Sequence, residues 1–326
     1  MGMARKKSTA MPPNEPAVRP SGAEYLVPLL CLLGAGSMMG LSTDFAKLAP
    51  GAGLPSLALL AWALAGATLV LTLIGAVRGR LPSLNVRTVE YFLVAGFVGL
   101  AAPYLIFFSA VPHVGASFVA VSLALSPLYT YAGTLLLGME RFDVWRALGV
   151  VLTLAGSLLL AVLKLSVPGA PTFWIVATLS APVLLAAGNI YRTLRWPPGS
   201  GSDQLAPGML GAAALVLLVV GALPGGFGAI PDLSLAVPTG DAAALLLIVA
   251  QAAAFAVVYL LFFVLQQRGG PVYLSLLGSV AAVVGSVIAI FLLGEAAPQG
   301  LLVGGALIAL GIGLVTRGGA KGSREE

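Results

Sequence analysis

Ten apolar stretches of about 20 residues follow one another along this chain, and no other feature restricts its fold as strongly. A helix of about 20 residues, at about 1.5 Å per residue, crosses the roughly 30 Å hydrocarbon layer of a bilayer. Of the 326 residues, 59% are hydrophobic and 9% are charged, so a soluble core cannot absorb the apolar side chains. The sequence predicts an all-α polytopic integral membrane protein with ten transmembrane helices, at residues 26–46, 56–77, 91–111, 115–138, 146–163, 172–191, 206–223, 242–266, 271–293 and 298–316.

The basic residues give these helices a direction. All but two of the 17 lysines and arginines fall on one side when the helices are threaded in order, the exceptions being Lys47 and Lys164. Basic loops stay in the cytoplasm, so both termini are predicted to be cytoplasmic and the protein to lie in the cytoplasmic (inner) membrane. The polar, proline-rich residues 1–24 are interpreted as a cytoplasmic tail rather than a signal peptide, and residues 318–326 as a second tail.

The second half of the chain repeats the first. A shift of 155 residues places "AAPYLIFFSAVPHVG" on "AVVYLLFFVLQQRGG" and keeps its register to the last helix. The pairs Tyr104/Tyr259, Phe107/Phe262 and Glu140/Glu295 are informative, because chance matches in such a composition are mostly leucines. Five helices per copy is an odd number, so the second copy enters the membrane in the opposite direction. Such inverted repeats are found in secondary transporters, with the substrate site between the halves.

The repeated unit resembles a known family. "YLIFFSAVPHVGASFVAVSLALSPLYTYAGTLLLGME" and its copy "YLLFFVLQQRGGPVYLSLLGSVAAVVGSVIAIFLLGE" are similar to the EamA-like branch of the drug/metabolite transporter superfamily. On this resemblance, residues 25–164 form repeat 1 (helices 1–5) and residues 165–317 form repeat 2 (helices 6–10). It implies a secondary transporter of small organic metabolites, such as an exporter of amino acids or related compounds. Ala282 stands where Pro127 stands in the first copy, so proline gives no reason for helix 9 to bend as helix 4 does.

Polar side chains inside the spans are costly in lipid and commonly border a pathway, although small hydroxyl residues also serve simply as close-packing contacts. On the fourth span the polar side chains recur at helical spacing and share one face, beside a bend expected at Pro127. The glycines that recur on single faces, such as Gly149 and Gly156 or Gly304 and Gly311, are interpreted as packing surfaces. The candidate pathway residues are Tyr104, Ser122, Ser126, Tyr129, Gln251, Tyr259, Ser275 and Ser279.

Asp44 and Lys47 lie one helical turn apart near the outer end of the first span. Asn189 and Arg192 occupy the matching end of the sixth span, which inversion places at the inner side. One interpretation is a pair of interfacial anchors whose basic side chains reach the headgroups. The other is gating or coupling, with Asp44 able to take a proton when closure removes it from water.

Other function classes have little support in the sequence. The chain has no Walker motif, no HExxH and no Cys/His cluster, so we expect no enzyme, no cofactor and no metal site. The basic residues form no nucleic-acid-binding face, so the expected partners are the lipid bilayer and a small-molecule substrate, with possible proton coupling. A monomer or homodimer is expected. The alternatives are a multidrug or lipid-precursor carrier and, from another class, a non-transporting membrane scaffold or sensor.

Overall fold

The computed structural model describes residues 22–162, 171–222, 242–294 and 300–322, and these residues contain α-helices and no strand. Lys164, Glu295, residues 1–21 of the first predicted tail and residues 323–326 of the second lie outside the described residues. A 3₁₀ turn at Ala49–Ala52 and a π-helical segment at Phe97–Ala101 interrupt the pattern. The α-helices are α1 (Gly22–Leu48), α2 (Ser56–Val77), α3 (Val86–Gly96), α4 (Ala102–Leu123), α5 (Ser126–Leu136), α6 (Val144–Val162), α7 (Thr172–Leu194), α8 (Ser202–Ala222), α9 (Ala242–Ser275), α10 (Leu277–Leu293) and α11 (Leu301–Gly322).

Seven of the described segments are long and apolar enough to cross a membrane. Their outward faces carry large exposed side chains such as Leu69, Leu73 and Leu246, which lipid would cover. Two further apolar helices, Val144–Leu159 and Leu277–Leu292, are shorter. The architecture is that of a polytopic membrane protein.

The chain reverses direction near His113, where the sequence predicts a hairpin between the third and fourth spans. Helical backbone hydrogen bonding is assigned throughout residues 102–123, so the hydrogen-bond pattern does not reveal the reversal. Contacts with α7 reveal it. Gly99 lies against Gly188 near the C-terminal end of α7, and His113 stacks on Trp174 near its N-terminal end. Thr130 then contacts Asn189, at the C-terminal end once more. The chain thus runs along α7 to His113 and then returns beside it.

The same path occurs in the second half, along α1. Gln251 meets Ser42, Leu261 lies beside Gly34, and Gly285 returns to Gly40. Between these contacts the backbone of α9 is non-helical at Gly270, whose φ of 75° is favourable only for glycine. The first helix of each half therefore packs against helices of the other half. α1 packs on α9 and α10, and α7 packs on α4 and α5.

Pro127 interrupts the helix, as the sequence predicts. The helix ends at Leu123 and restarts at Ser126, with Pro127 in the first turn of α5. Leu125 between them keeps helical backbone angles, and the shared face of Ser122 and Ser126 stays a prediction. The second copy is also interrupted, at Leu276 between α9 and α10, although no proline occupies the matching position.

Glycines bring α6 and α11 into backbone contact, which confirms their interpretation as packing surfaces. A Cβ atom on Gly149 would lie 2.6 Å from the carbonyl oxygen of Gly311, and one on Gly156 would lie 2.6 Å from that of Gly304. On α1, a Cβ on Gly40 would lie 2.7 Å from the backbone nitrogen of Gly285. Such close approach is how helices associate in lipid, where burial of apolar surface gives little driving force.

Candidate functional site

A cavity of about 440 Å³ lies between the π-helical segment and helices α1, α4, α5, α6, α7, α9 and α10. Its volume is within the range of small-molecule sites, which are mostly apolar with a few placed polar groups. The wall carries three charged side chains, Asp44, Lys47 and Arg192. Aromatic rings form much of the remainder: Tyr104, Phe107, Phe255, Tyr259 and Phe262.

Asp44 faces this cavity from the end of α1, where only 3% of its surface is exposed. Lys47 Nζ lies 3.1 Å from Asp44 Oδ1 and is itself partly exposed. Apart from this ion pair, neither carboxylate oxygen accepts a hydrogen bond from the described residues. Asp44 is thus a buried carboxylate with a single cationic neighbour.

Arg192 is the largest fully buried side chain among the described residues, with 1% of its surface exposed. Its Nε donates to Gln266 Oε1 at 2.8 Å, a terminal nitrogen donates to Asn189 Oδ1 at 2.5 Å, and the guanidinium lies 4.9 Å from the ring centre of Phe262. All of these partners are neutral. Among the described residues no carboxylate pairs with Arg192, so its charge is not balanced by an acidic neighbour.

The backbone around Arg192 is shaped to admit the guanidinium. A Cβ on Gly99 would lie 2.0 Å from a terminal nitrogen of Arg192, and one on Gly188 would lie 2.5 Å from the Cα of Gly99. Glycine at both positions lets the π-helical segment approach α7 closely. Gln266 adds a second tie, because its Nε2 donates to the carbonyl of Asn189 at 2.8 Å.

Asp44 and Arg192 lie at different heights along the bundle, as the contacts of their helices with α9 show. Ser42, two residues before Asp44, meets Gln251, whereas Arg192 meets Phe262 and Gln266. At about 1.5 Å per residue, these levels are roughly 20 Å apart along α9. The cavity therefore has an acidic and basic pair toward one end and an unpaired cation toward the other.

Comparison with known proteins finds one family similarity. The model of the EamA-like transporter family matches residues 26–162, which include the first of the two segments quoted above, the helices before it and α6 after it. Over these residues the chain is similar to the EamA-like transporter family. This confirms the resemblance seen in the sequence, over the first half of the chain.

Structural comparison covers both halves of the chain. A crystal structure of another protein superposes on this chain with a TM-score of 0.68 at 21% identity, and the match covers 93% of this chain and 99% of the other. At that identity the likeness shows the shared fold alone. No curated protein matches this chain by sequence.

Nine of the twelve residues singled out from the sequence lie on the cavity wall, while their roles stay predictions. Two of the serines have protein partners: Ser275 Oγ donates to the carbonyl of Val272, and Ser157 Oγ donates to Ser279 Oγ at 3.0 Å. The nine are Asp44, Lys47, Tyr104, Ser126, Asn189, Arg192, Tyr259, Ser275 and Ser279.

Three candidates are not on the wall. Ser122 Oγ donates to the carbonyl of Thr178 on α7 at 2.8 Å, and Tyr129 is only partly buried. Gln251 donates to Ser42 Oγ between α9 and α1, and its Oε1 is buried without a partner. Ser122 thus contacts α7 and Gln251 contacts α1, and their role in the pathway stays a prediction.

Sequence reasoning missed Gln266 and Ser157. Gln266 is 2% exposed and organises Arg192 and Asn189, and Ser157 is a wall residue on α6. Gln266 follows the apolar stretch directly and resembles the polar end of a span, so only its proximity to α7 reveals its role. Ser157 is an isolated serine, a residue type that packing also explains.

Proposed function

We propose that this protein is a secondary transporter that carries small organic metabolites, in particular amino acids or related compounds, out of the cell. The observation that carries the proposal is the cavity of about 440 Å³ between the two halves of an EamA-like chain, since secondary transporters of inverted-repeat construction bind substrate at such an interface. An apolar, aromatic wall with a few charged groups suits small amphipathic or zwitterionic solutes.

Alternating access between two inverted five-helix repeats is supported by the interlocked packing. α7 contacts α4 and α5 as α1 contacts α9 and α10, and the reversals near His113 and Gly270 give the two halves the same path. With these reversals counted, the described helices can be threaded as the ten spans of the sequence prediction. In this mechanism the two halves rock against each other around the cavity.

The two charged ends are proposed to act as gates. Asp44 and Lys47 would close the outer end of the cavity, and Asn189 and Arg192 would close the inner end. In this proposal the protein lies in the inner membrane with both termini in the cytoplasm. Asp44 is buried with one cationic neighbour, so its protonation would weaken that contact and loosen the outer end. Asn189 has no titratable group, so proton coupling would act at one end only.

The apolar wall also favours the second candidate, a carrier of multiple drugs or of lipid precursors. Five aromatic side chains surround the cavity, and such rings accept varied apolar cargo. A substrate panel separates the two functions, because a multidrug carrier would move hydrophobic cations that share no headgroup with amino acids.

The test is efflux of a panel of radiolabelled amino acids from proteoliposomes, with and without a pH gradient. We expect the wild type to move at least one amino acid, and Asp44→Asn to lose the dependence on the pH gradient while retaining exchange without it. Absence of efflux for the whole panel would overturn the proposed substrate class. Unchanged pH dependence in Asp44→Asn would show that Asp44 is an anchor and not the coupling group.

A further inference from the structure

The fully buried guanidinium of Arg192 is the group on the cavity wall with the greatest unused capacity to bind a ligand. Its five N–H groups have two hydrogen bonds to amide oxygens and one long contact of 4.0 Å to Met209 Sδ. Two donors are left without a partner among the described residues. A buried cation without a counterion is costly, and a bound anion would remove that cost.

The neighbours of Arg192 hold it in place without neutralising it. Gln266 and Asn189 accept its hydrogen bonds, and the π face of Phe262 lies under the guanidinium. The guanidinium is therefore preorganised and remains available for an anion.

We propose that Arg192 binds the carboxylate of the transported substrate, so that the protein selects small monocarboxylates, amino acids included, through this group. A planar guanidinium binds a carboxylate through two parallel hydrogen bonds, and the carboxylate is the anionic group that the proposed substrates share. This inference rests on the proposed function and names the group by which its substrates are recognised.

The distance along α9 between the levels of Asp44 and Arg192 determines which group of the substrate is recognised. Asp44 lies roughly 20 Å from the level of Arg192, whereas the ammonium and carboxylate of an amino acid flank one carbon atom. A substrate held at Arg192 does not reach Asp44. Recognition therefore requires the carboxylate and not the amine, and the aromatic wall receives the remainder of the molecule.

Matched carboxylate and amide probes test the proposal on the purified full chain in detergent. The probes are 4-methylpentanoate against 4-methylpentanamide and 3-phenylpropanoate against 3-phenylpropanamide, at equal concentrations, with thermal unfolding as the readout. The wild type should be stabilised by the carboxylates and not by the amides, because only the carboxylates balance the charge of Arg192. Equal shifts, or no shift with either carboxylate, would overturn the proposal.

Three variants assign the effect to Arg192. Arg192→Gln should weaken carboxylate binding roughly 10- to 100-fold and remove the preference over amides. Arg195→Gln, on the same helix end but 60% exposed, and Lys47→Gln, on the cavity wall at the other end, should both retain the preference. Loss of the preference in Lys47→Gln alone would place the anion at Lys47 and contradict the assignment.

The two proposals can fail separately. Carboxylate preference without efflux of any amino acid would keep the Arg192 site and overturn the proposed transport of amino acids. Efflux that is as fast and as selective in Arg192→Gln as in the wild type would overturn the Arg192 site and leave the transporter in place. If Arg192→Gln does not fold, the probe series on the wild type and on Lys47→Gln still decides the proposal.

Discussion

At the scale of single residues, the cavity depends on glycines, which leave space, as well as on the polar side chains that occupy it. The guanidinium of Arg192 occupies space that any side chain at position 99 would enter, and Asn189 and Gln266 then fix its direction. A buried arginine in a membrane is tolerated when such neutral donors and acceptors replace part of its hydration. The chemistry of the site is thus set by an arginine, two amides and a glycine.

Gly99→Ala is expected to displace the guanidinium of Arg192. The new Cβ would lie 2.0 Å from a terminal nitrogen, so either the arginine or the π-helical segment has to move. We expect a destabilisation of about 1–3 kcal/mol together with weaker carboxylate binding. Gly278→Ala is the matched control, because Gly278 is also on the cavity wall and a Cβ there meets nothing within 4 Å. Equal stability of the two variants would contradict this account of Gly99.

The contact between Ser42 and Gln251 gives a second residue-scale prediction. Ser42→Ala removes the acceptor of the Gln251 amide and leaves a buried polar group without any partner, at a cost of about 1–3 kcal/mol in stability. The double variant Ser42→Ala with Gln251→Leu removes the polar group as well and should recover most of the loss. Unfolding in detergent measures both. A double variant less stable than Ser42→Ala would show that Gln251 has another role.

At the scale of helices, backbone contact replaces side-chain interdigitation where α6 meets α11. Gly149 and Gly156 face Gly311 and Gly304, so the two backbones come into contact at these positions. The sequence predicts this contact from the seven-residue spacing, because residues seven apart share a helix face. The partner helix is not predicted by spacing and follows only from the fold.

Gly311→Ala is expected to lower stability although alanine is the better helix former. Its Cβ would lie 2.2 Å from Thr153 Oγ1 and 2.6 Å from the carbonyl oxygen of Gly149, which forces α6 and α11 apart. Gly313→Ala on the same helix adds a Cβ in open space and should be neutral or stabilising, by up to about 1 kcal/mol. Thermal unfolding of the two variants compares them directly, and equal loss in both would point to helix flexibility instead of packing.

At the scale of the whole molecule, polar connections collect on one face of the bundle. Arg80 pairs with Asp203 at 3.5 Å, and Gln204 Nε2 donates to the carbonyl of Leu81 at 3.3 Å, so the connection after α2 and the start of α8 lie together. The basic residues predict that both are cytoplasmic. The structure brings the two regions to the same face, and the side of the membrane stays a prediction.

Cysteine labelling tests that side. Ser83→Cys and Ser202→Cys, each made in Cys31→Ser, should react with a membrane-impermeant maleimide only when the cytoplasmic face is accessible. The native Cys31 is buried, so its replacement is a precaution against background labelling. Labelling of the two positions from opposite faces would contradict the fold, whereas labelling of both from outside would reverse the predicted orientation.

The sequence by itself determined the membrane-embedded helical character, the family and most of the polar residues on the cavity wall. These follow from local properties: an apolar stretch of given length has to lie in lipid, and a polar group inside it has to find a partner or a cavity. Asp44, Tyr104, Asn189, Arg192 and Tyr259 could be selected because few residues in the spans are polar at all.

Only the tertiary structure decided which of these groups meet. Ser122 donates to the carbonyl of Thr178 because α4 packs on α7, and Gln251 donates to Ser42 because α9 packs on α1. Gln266 reaches Arg192 because the two residues lie at the same height on the neighbouring helices α9 and α7. Such contacts join residues far apart in the chain, and hydropathy and spacing, which are local, contain no information about them.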